Sequence, residues 1–102
     1  MMCSIIDGVK YNTETATRIA YYDNEYSLSD FQYLQEGLYR KRTGEFFLAG
    51  KGGAMTKYAR KSGNASSGGS KIIPLTHKEA ERWCEERLSV DEYEAVFGEV
   101  SE

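Results

Sequence analysis

"GLYRKRTGEFFLAG", residues 37–50, decides how this chain folds. Arg42, Thr43 and Gly44 have the composition of a three-residue hairpin loop, with Gly44 supplying the left-handed conformation that closes it. The loop sets the register: Lys41 falls opposite Glu45, Tyr39 opposite Phe47 and Leu38 opposite Leu48. Opposite charges then meet across the strands, the two leucines share one face, and the two aromatic side chains share the other. The pattern predicts a sheet covered on one side by C-terminal helices, with aromatic side chains showing on the other.

Working outward, "SIIDGVKY" (4–11) holds Asp7-Gly8 between apolar and β-branched flanks, a two-residue hairpin turn, since both residues tolerate positive φ. "TATRIAYY" (15–22) alternates through Thr15, Thr17, Ile19 and Tyr21 and reads as a further strand. Residues 27–38 carry two signals. Phe31, Leu34 and Leu38 have helical spacing behind a Ser29 or Asp30 cap, whereas Gly37 and the aromatic content favour a turn over 27–32 leading into a strand, which is the reading taken. At the other end Thr76 with Glu79, and Ser89 with Glu92, form two capping boxes, predicting helices over roughly 77–88 and 90–97. Ala80, Trp83, Cys84 and Leu88 make the apolar stripe of the first, Val90, Tyr93, Val96 and Phe97 that of the second, and Gly98 ends it. The fold class is α+β: an antiparallel sheet of four or five strands within residues 3–50, followed by two short C-terminal helices with Trp83, Leu88, Tyr93 and Phe97 in one core. The chain is expected to be one domain over 1–102, divided into β-hairpins (1–50), a Gly-rich basic loop (51–71) and the two helices (76–98).

With 102 residues, 40% hydrophobic and 28% charged, the composition is that of a folded globular domain rather than a disordered chain. No apolar run approaches the roughly 20 residues that span a bilayer, and "MMCSIIDGVK" has no basic region followed by a long apolar one. The expectation is a cytoplasmic protein without membrane contact. Cys3, Cys84 and the single histidine, His77, supply neither a disulfide framework nor a zinc set, so reduced cysteines and no metal or cofactor are expected. No Ser-His-Asp or Cys-His grouping follows from spacing, and Glu85 and Glu86 are neighbours that diverge on a helix, so no catalytic residue is assigned and the protein is not expected to be an enzyme.

The net charge of −3 conceals a segregation. Residues 1–39 carry a charge of −4, residues 40–75 carry eight basic side chains against Glu45 alone for +7, and residues 76–102 carry −6. Such asymmetry bears on partners, unless the basic middle simply pairs with the acidic ends within the monomer. In the basic third, "GKGGAM" (50–55) has neither the dinucleotide fingerprint nor phosphate-loop spacing, and "SGNASSGG" (62–69) reads as a flexible connector. Exposed amides and ammonium groups here still suit an anionic partner. Lys51, Lys57, Tyr58, Arg60 and Lys61 are the candidate partner-binding residues.

Three blocks, "IIDGVKYNTETATRIAYYDN" (5–24), "LYRKRTGEFFLAGKGGAMTKYA" (38–59) and "KIIPLTHKEAERWCEERLSVDEYEAVFGEV" (71–100), resemble the recurring blocks of a family of small bacterial proteins carried on phages, plasmids and integrative elements. The resemblance carries no known catalytic motif and implies a mobile-element accessory protein; among proteins of that size and setting the best studied are inhibitors of host defence, including anti-CRISPR proteins. Under that implication the partner is a host protein or ribonucleoprotein complex. The basic loop would sit where nucleic acid otherwise lies, or the acidic helices (Glu81, Glu85, Glu94) would mimic phosphate. The alternative is a nucleic-acid-binding accessory protein of the element itself, with the loop on the backbone and aromatics stacking bases. The acidic balance disfavours it, leaving weak nucleic-acid contact at most. A third reading, a binder of small signalling nucleotides, needs a pocket that no sequence pattern supplies.

Overall fold

In the computed structural model, which describes residues 2–101, the 37–50 hairpin is the centre of a four-stranded antiparallel sheet. The chain runs through β1 (Cys3–Ile6), β2 (Val9–Asn12), β3 (Thr17–Asp23), β4 (Leu34–Arg40), β5 (Phe46–Gly52), β6 (Arg60–Ser62), β7 (Ala65–Ser67) and β8 (Gly69–Leu75) to α1 (His77–Arg87) and α2 (Val90–Phe97). The main sheet has the order β3-β4-β5-β8; β1-β2 and β6-β7 are separate two-stranded hairpins. The expected fold class therefore stands, with its sheet built partly from other residues.

The register around Gly44, at φ 93, is the one the loop chemistry dictates: Leu38 faces Leu48, Tyr39 faces Phe47, and Lys41 N–H donates to Glu45 C=O at 2.8 Å. Period-2 alternation then sorts the side chains into two cores. Leu38, Phe46 and Leu48 face the helices and pack with Ala80, Trp83 and Cys84, joined by half-buried Leu88, Tyr93 and Phe97. Phe47 and Ile72 point the other way and pack against Tyr11 of β2. The expectation of an aromatic face in the open fails here. The β1-β2 hairpin, turned by Asp7 (φ 52) and Gly8 (φ 77), lies over it, with Phe47 stacked on Tyr39 at 5.3 Å and edge-on to Tyr11 at 5.5 Å. Leaving Phe47 in water would forgo roughly 1.5–3 kcal/mol of burial, and this small hairpin supplies the cover.

The fourth strand is β8, past the expected limit of residue 50. Pro74 argues against a central strand, but β8 lies at the sheet's edge, where a missing N–H is tolerated. The segment 51–71 is correspondingly not one loop. Residues 60–67 form the β6-β7 ribbon, turned at Gly63 (φ 60), and β8 begins at Gly69. In β3 the strict alternation breaks at a bulge between Arg18 and Ala20, so Ile19 and Ala20 both reach the helix-side core, while Thr15 lies in the preceding turn. Both capping boxes form as predicted, and Gly98 ends α2 at φ 91. Residues 27–32 are turns, followed by β4 from Leu34.

Candidate partner-binding surface

What positions the basic segment is a buried acid. Alternation along β4 places Glu36 on the helix side with Leu38, beside Tyr22 of β3 and Gly50 of β5. Its carboxylate is fully buried. Gly50 leaves room for the Tyr58 ring, since a Cβ there would collide with the Tyr58 hydroxyl. Tyr58 Oη donates to Glu36 Oε2 at 2.7 Å, and Trp83 Nε1–H donates to Oε1 at 3.0 Å. Lys57 Nζ pairs with Oε2, and an Arg87 guanidinium nitrogen lies 3.8 Å from Oε1. The Arg87 guanidinium is flanked by the rings of Tyr22 (4.9 Å) and Trp83 (5.1 Å), and it donates to Glu86 at 3.1 Å.

Burial alone would raise the Glu36 pKa; hydrogen bonds from Lys57, Trp83 and Tyr58, with the Lys57 charge, outweigh it and hold the carboxyl below its usual range. Burial and the neighbouring carboxylate push the Tyr58 phenol up, so it stays a donor. Burial also raises the Cys84 thiol to about 11, leaving it an inert core group. Two neutral donors and Lys57 contact Glu36 directly, and Arg87 adds its charge from 3.8 Å. Glu36 acts as a clasp that joins the sheet, the segment after β5 and α1. The cleft above it, about 220 Å³, is lined by cations (Lys57, Arg82, Arg87) and carboxylates (Glu79, Glu86) in near balance. Among the described residues no group of His, Cys, Asp or Glu is placed to hold a metal.

The five candidate contact residues do not share a surface. Tyr58 is buried, and Lys57 is drawn down to Glu36. Lys51 projects from the opposite sheet face, with Phe47 and Ala49, in line with Gln35 and Ser70. Only Arg60 and Lys61 share an element, at successive positions of β6 and so on its opposite faces, across from Ser67 and Ser66. Glu36 itself was overlooked, although its place between Leu34 and Leu38 in a period-2 strand marks it as core-facing.

Around Arg60 and Lys61 the molecule is open. Every residue of β6 and β7 is exposed, and Lys51, Arg60, Lys61 and Lys71 make no ion pair among the described residues. Beside the ribbon lies a cleft of about 440 Å³ lined by Leu28, Phe31, Tyr33, Ala54, Ser66 and Gly68 among others. Its walls are tied together. Met55 N–H donates to Phe31 C=O at 2.8 Å, Gly53 N–H to Tyr33 C=O at 3.0 Å, and Ser66 Oγ to Ala54 C=O at 2.9 Å. Leu28 (62%) and Phe31 (66%) stay exposed in this cleft, with Met55 (67%) exposed next to Phe31, and the cleft's Ser66 and Ser67 are the cross-strand partners of Lys61 and Arg60, a combination of anchor and charge that suits a macromolecular partner. No family model, curated protein or solved structure matches this chain.

Proposed function

We propose that the chain is a non-enzymatic interaction protein of a mobile genetic element, a stoichiometric inhibitor of a host defence nuclease complex. It engages that complex through the β6-β7 end. The observation that carries this reading is the exposed ribbon, whose Arg60 and Lys61 are in no ion pair among the described residues, beside a cleft that holds exposed Leu28 and Phe31. The three sequence blocks that resemble mobile-element proteins support the setting. The Glu36 clasp supports the non-enzymatic part, because the one buried carboxylate among the described residues is engaged in holding structure.

The test is capture of the partner from host extract on the immobilised protein, followed by assay of target cleavage by the captured complex. Arg60→Glu with Lys61→Glu should abolish capture and inhibition. Glu81→Lys, Glu85→Lys and Glu94→Lys together should leave both intact. Loss with the second set instead would assign phosphate mimicry to the helices. Tight binding of free DNA or RNA, with the steep salt dependence of phosphate contacts, would replace inhibition by nucleic-acid binding.

A further inference from the structure

We infer that copies of this chain associate head to tail, the apolar and basic β6-β7 end of one copy seating in an apolar and acidic groove at the α1-α2 corner of the next. The groove, about 420 Å³, is lined by Leu88, Val90, Tyr93 and Val100, with Glu85 and Glu94 at its rim. It exists because α2 spends only one stripe on the core. Tyr93 and Phe97 pack inward, whereas Val90 is 72% and Val100 56% exposed. Val100 is held over the corner by its N–H, which donates to Glu94 Oε2 at 2.9 Å. Neither Glu85 nor Glu94 has a cation partner among the described residues. The groove therefore asks for an apolar group accompanied by positive charge.

A second surface of the same molecule has that chemistry: exposed Leu28 and Phe31 line a cleft with Ser66 and Ser67, the cross-strand partners of Lys61 and Arg60. One copy does not join the two surfaces itself. The groove and the cleft beside the ribbon share no lining residue, and neither Arg60 nor Lys61 pairs with Glu85 or Glu94 among the described residues. In this head-to-tail arrangement the contact is heterologous, each added copy leaves a free ribbon and a free groove, and the product is a ring or an open chain rather than a reciprocal two-fold dimer. The charged rims make it salt-sensitive. This inference is independent of the host partner proposed above, because it concerns the purified protein alone.

Sedimentation equilibrium of the full chain tests it. The weight-average mass should rise above the 11.5 kDa of the monomer with concentration, without a plateau at twice that value, and return towards it as salt increases. Arg60→Glu with Lys61→Glu, and separately Glu85→Lys with Glu94→Gln, whose amide oxygen can still accept from Val100 N–H, should each give monomers with unchanged melting. Mixing the two variants should restore association, because each reversed surface then meets its opposite. A monomer at every concentration, a plateau at the dimer mass, variants that assemble like the wild type, or a mixture that stays monomeric would each overturn the inference.

Discussion

Tyr58 and Arg60 stand two residues apart in one basic stretch, yet Tyr58 is 1% exposed while Arg60 is free in solvent. What separates them is a counter-charge inside the protein. Tyr58 is buried against Glu36, and Lys57, though exposed along its length, is tied to that acid by an ion pair; Arg60 and Lys61 have no such acid among the described residues and remain available. The cations of a basic segment are therefore not equivalent, and the segment is half anchor and half contact surface.

The largest break in this comparison is at the anchor. Glu36→Ala leaves the Tyr58 hydroxyl, the Trp83 N–H and the Arg87 charge without their buried acceptor, and should cost about 3–5 kcal/mol. Against a typical total of about 5–15 kcal/mol, that is readily seen as a fall in the denaturation midpoint. Glu36→Gln gives the pH test. Because the folded-state pKa is depressed, the carboxylate's contribution is complete above its ordinary value of 4.5 and is lost as pH falls through the lower folded value. The stability gap between wild type and Glu36→Gln should thus narrow below pH 4.5; a gap equal at neutral and acid pH would show that Glu36 is not held as an anion.

Next in size are the helix starts. Thr76→Ala and Ser89→Ala each remove the acceptor for an N3 amide, of Glu79 and Glu92, and should each lose on the order of 1 kcal/mol. The caps belong to separate helices, so the double variant should show the sum. The smallest effect is at the free half. Arg60→Glu with Lys61→Glu should change stability by less than about 0.5 kcal/mol, and a larger loss by thermal melting would mean that the ribbon is part of the anchor after all.

Much of this molecule is legible wherever a local rule fixes the outcome. Gly44 sets the central register, Asp7-Gly8 turns β1-β2, and the capping boxes place both helices, because each is decided within a few residues. The clasp is not local. Glu36, Tyr58 and Trp83 meet only after three segments assemble, and nothing near Tyr58 in sequence tells it apart from a surface tyrosine. The β8 strand was hidden for a related reason: whether Pro74 is tolerated depends on which edge of the sheet is left unpaired. The cover over Phe47 likewise depends on where a hairpin thirty-odd residues upstream comes to rest.

The clasp also bears on the order of events in folding. Glu36 accepts from residues 22 and 47 positions away, while the hairpin that carries it closes over three residues. Short loops close first, and distant contacts wait for the chain entropy of bringing them together. Glu36 should therefore stay hydrated through the rate-limiting step and be sealed in only when α1 docks. A lesion there would leave refolding almost unchanged and speed unfolding, making this buried acid a determinant of how long the native state persists rather than of how quickly it is reached.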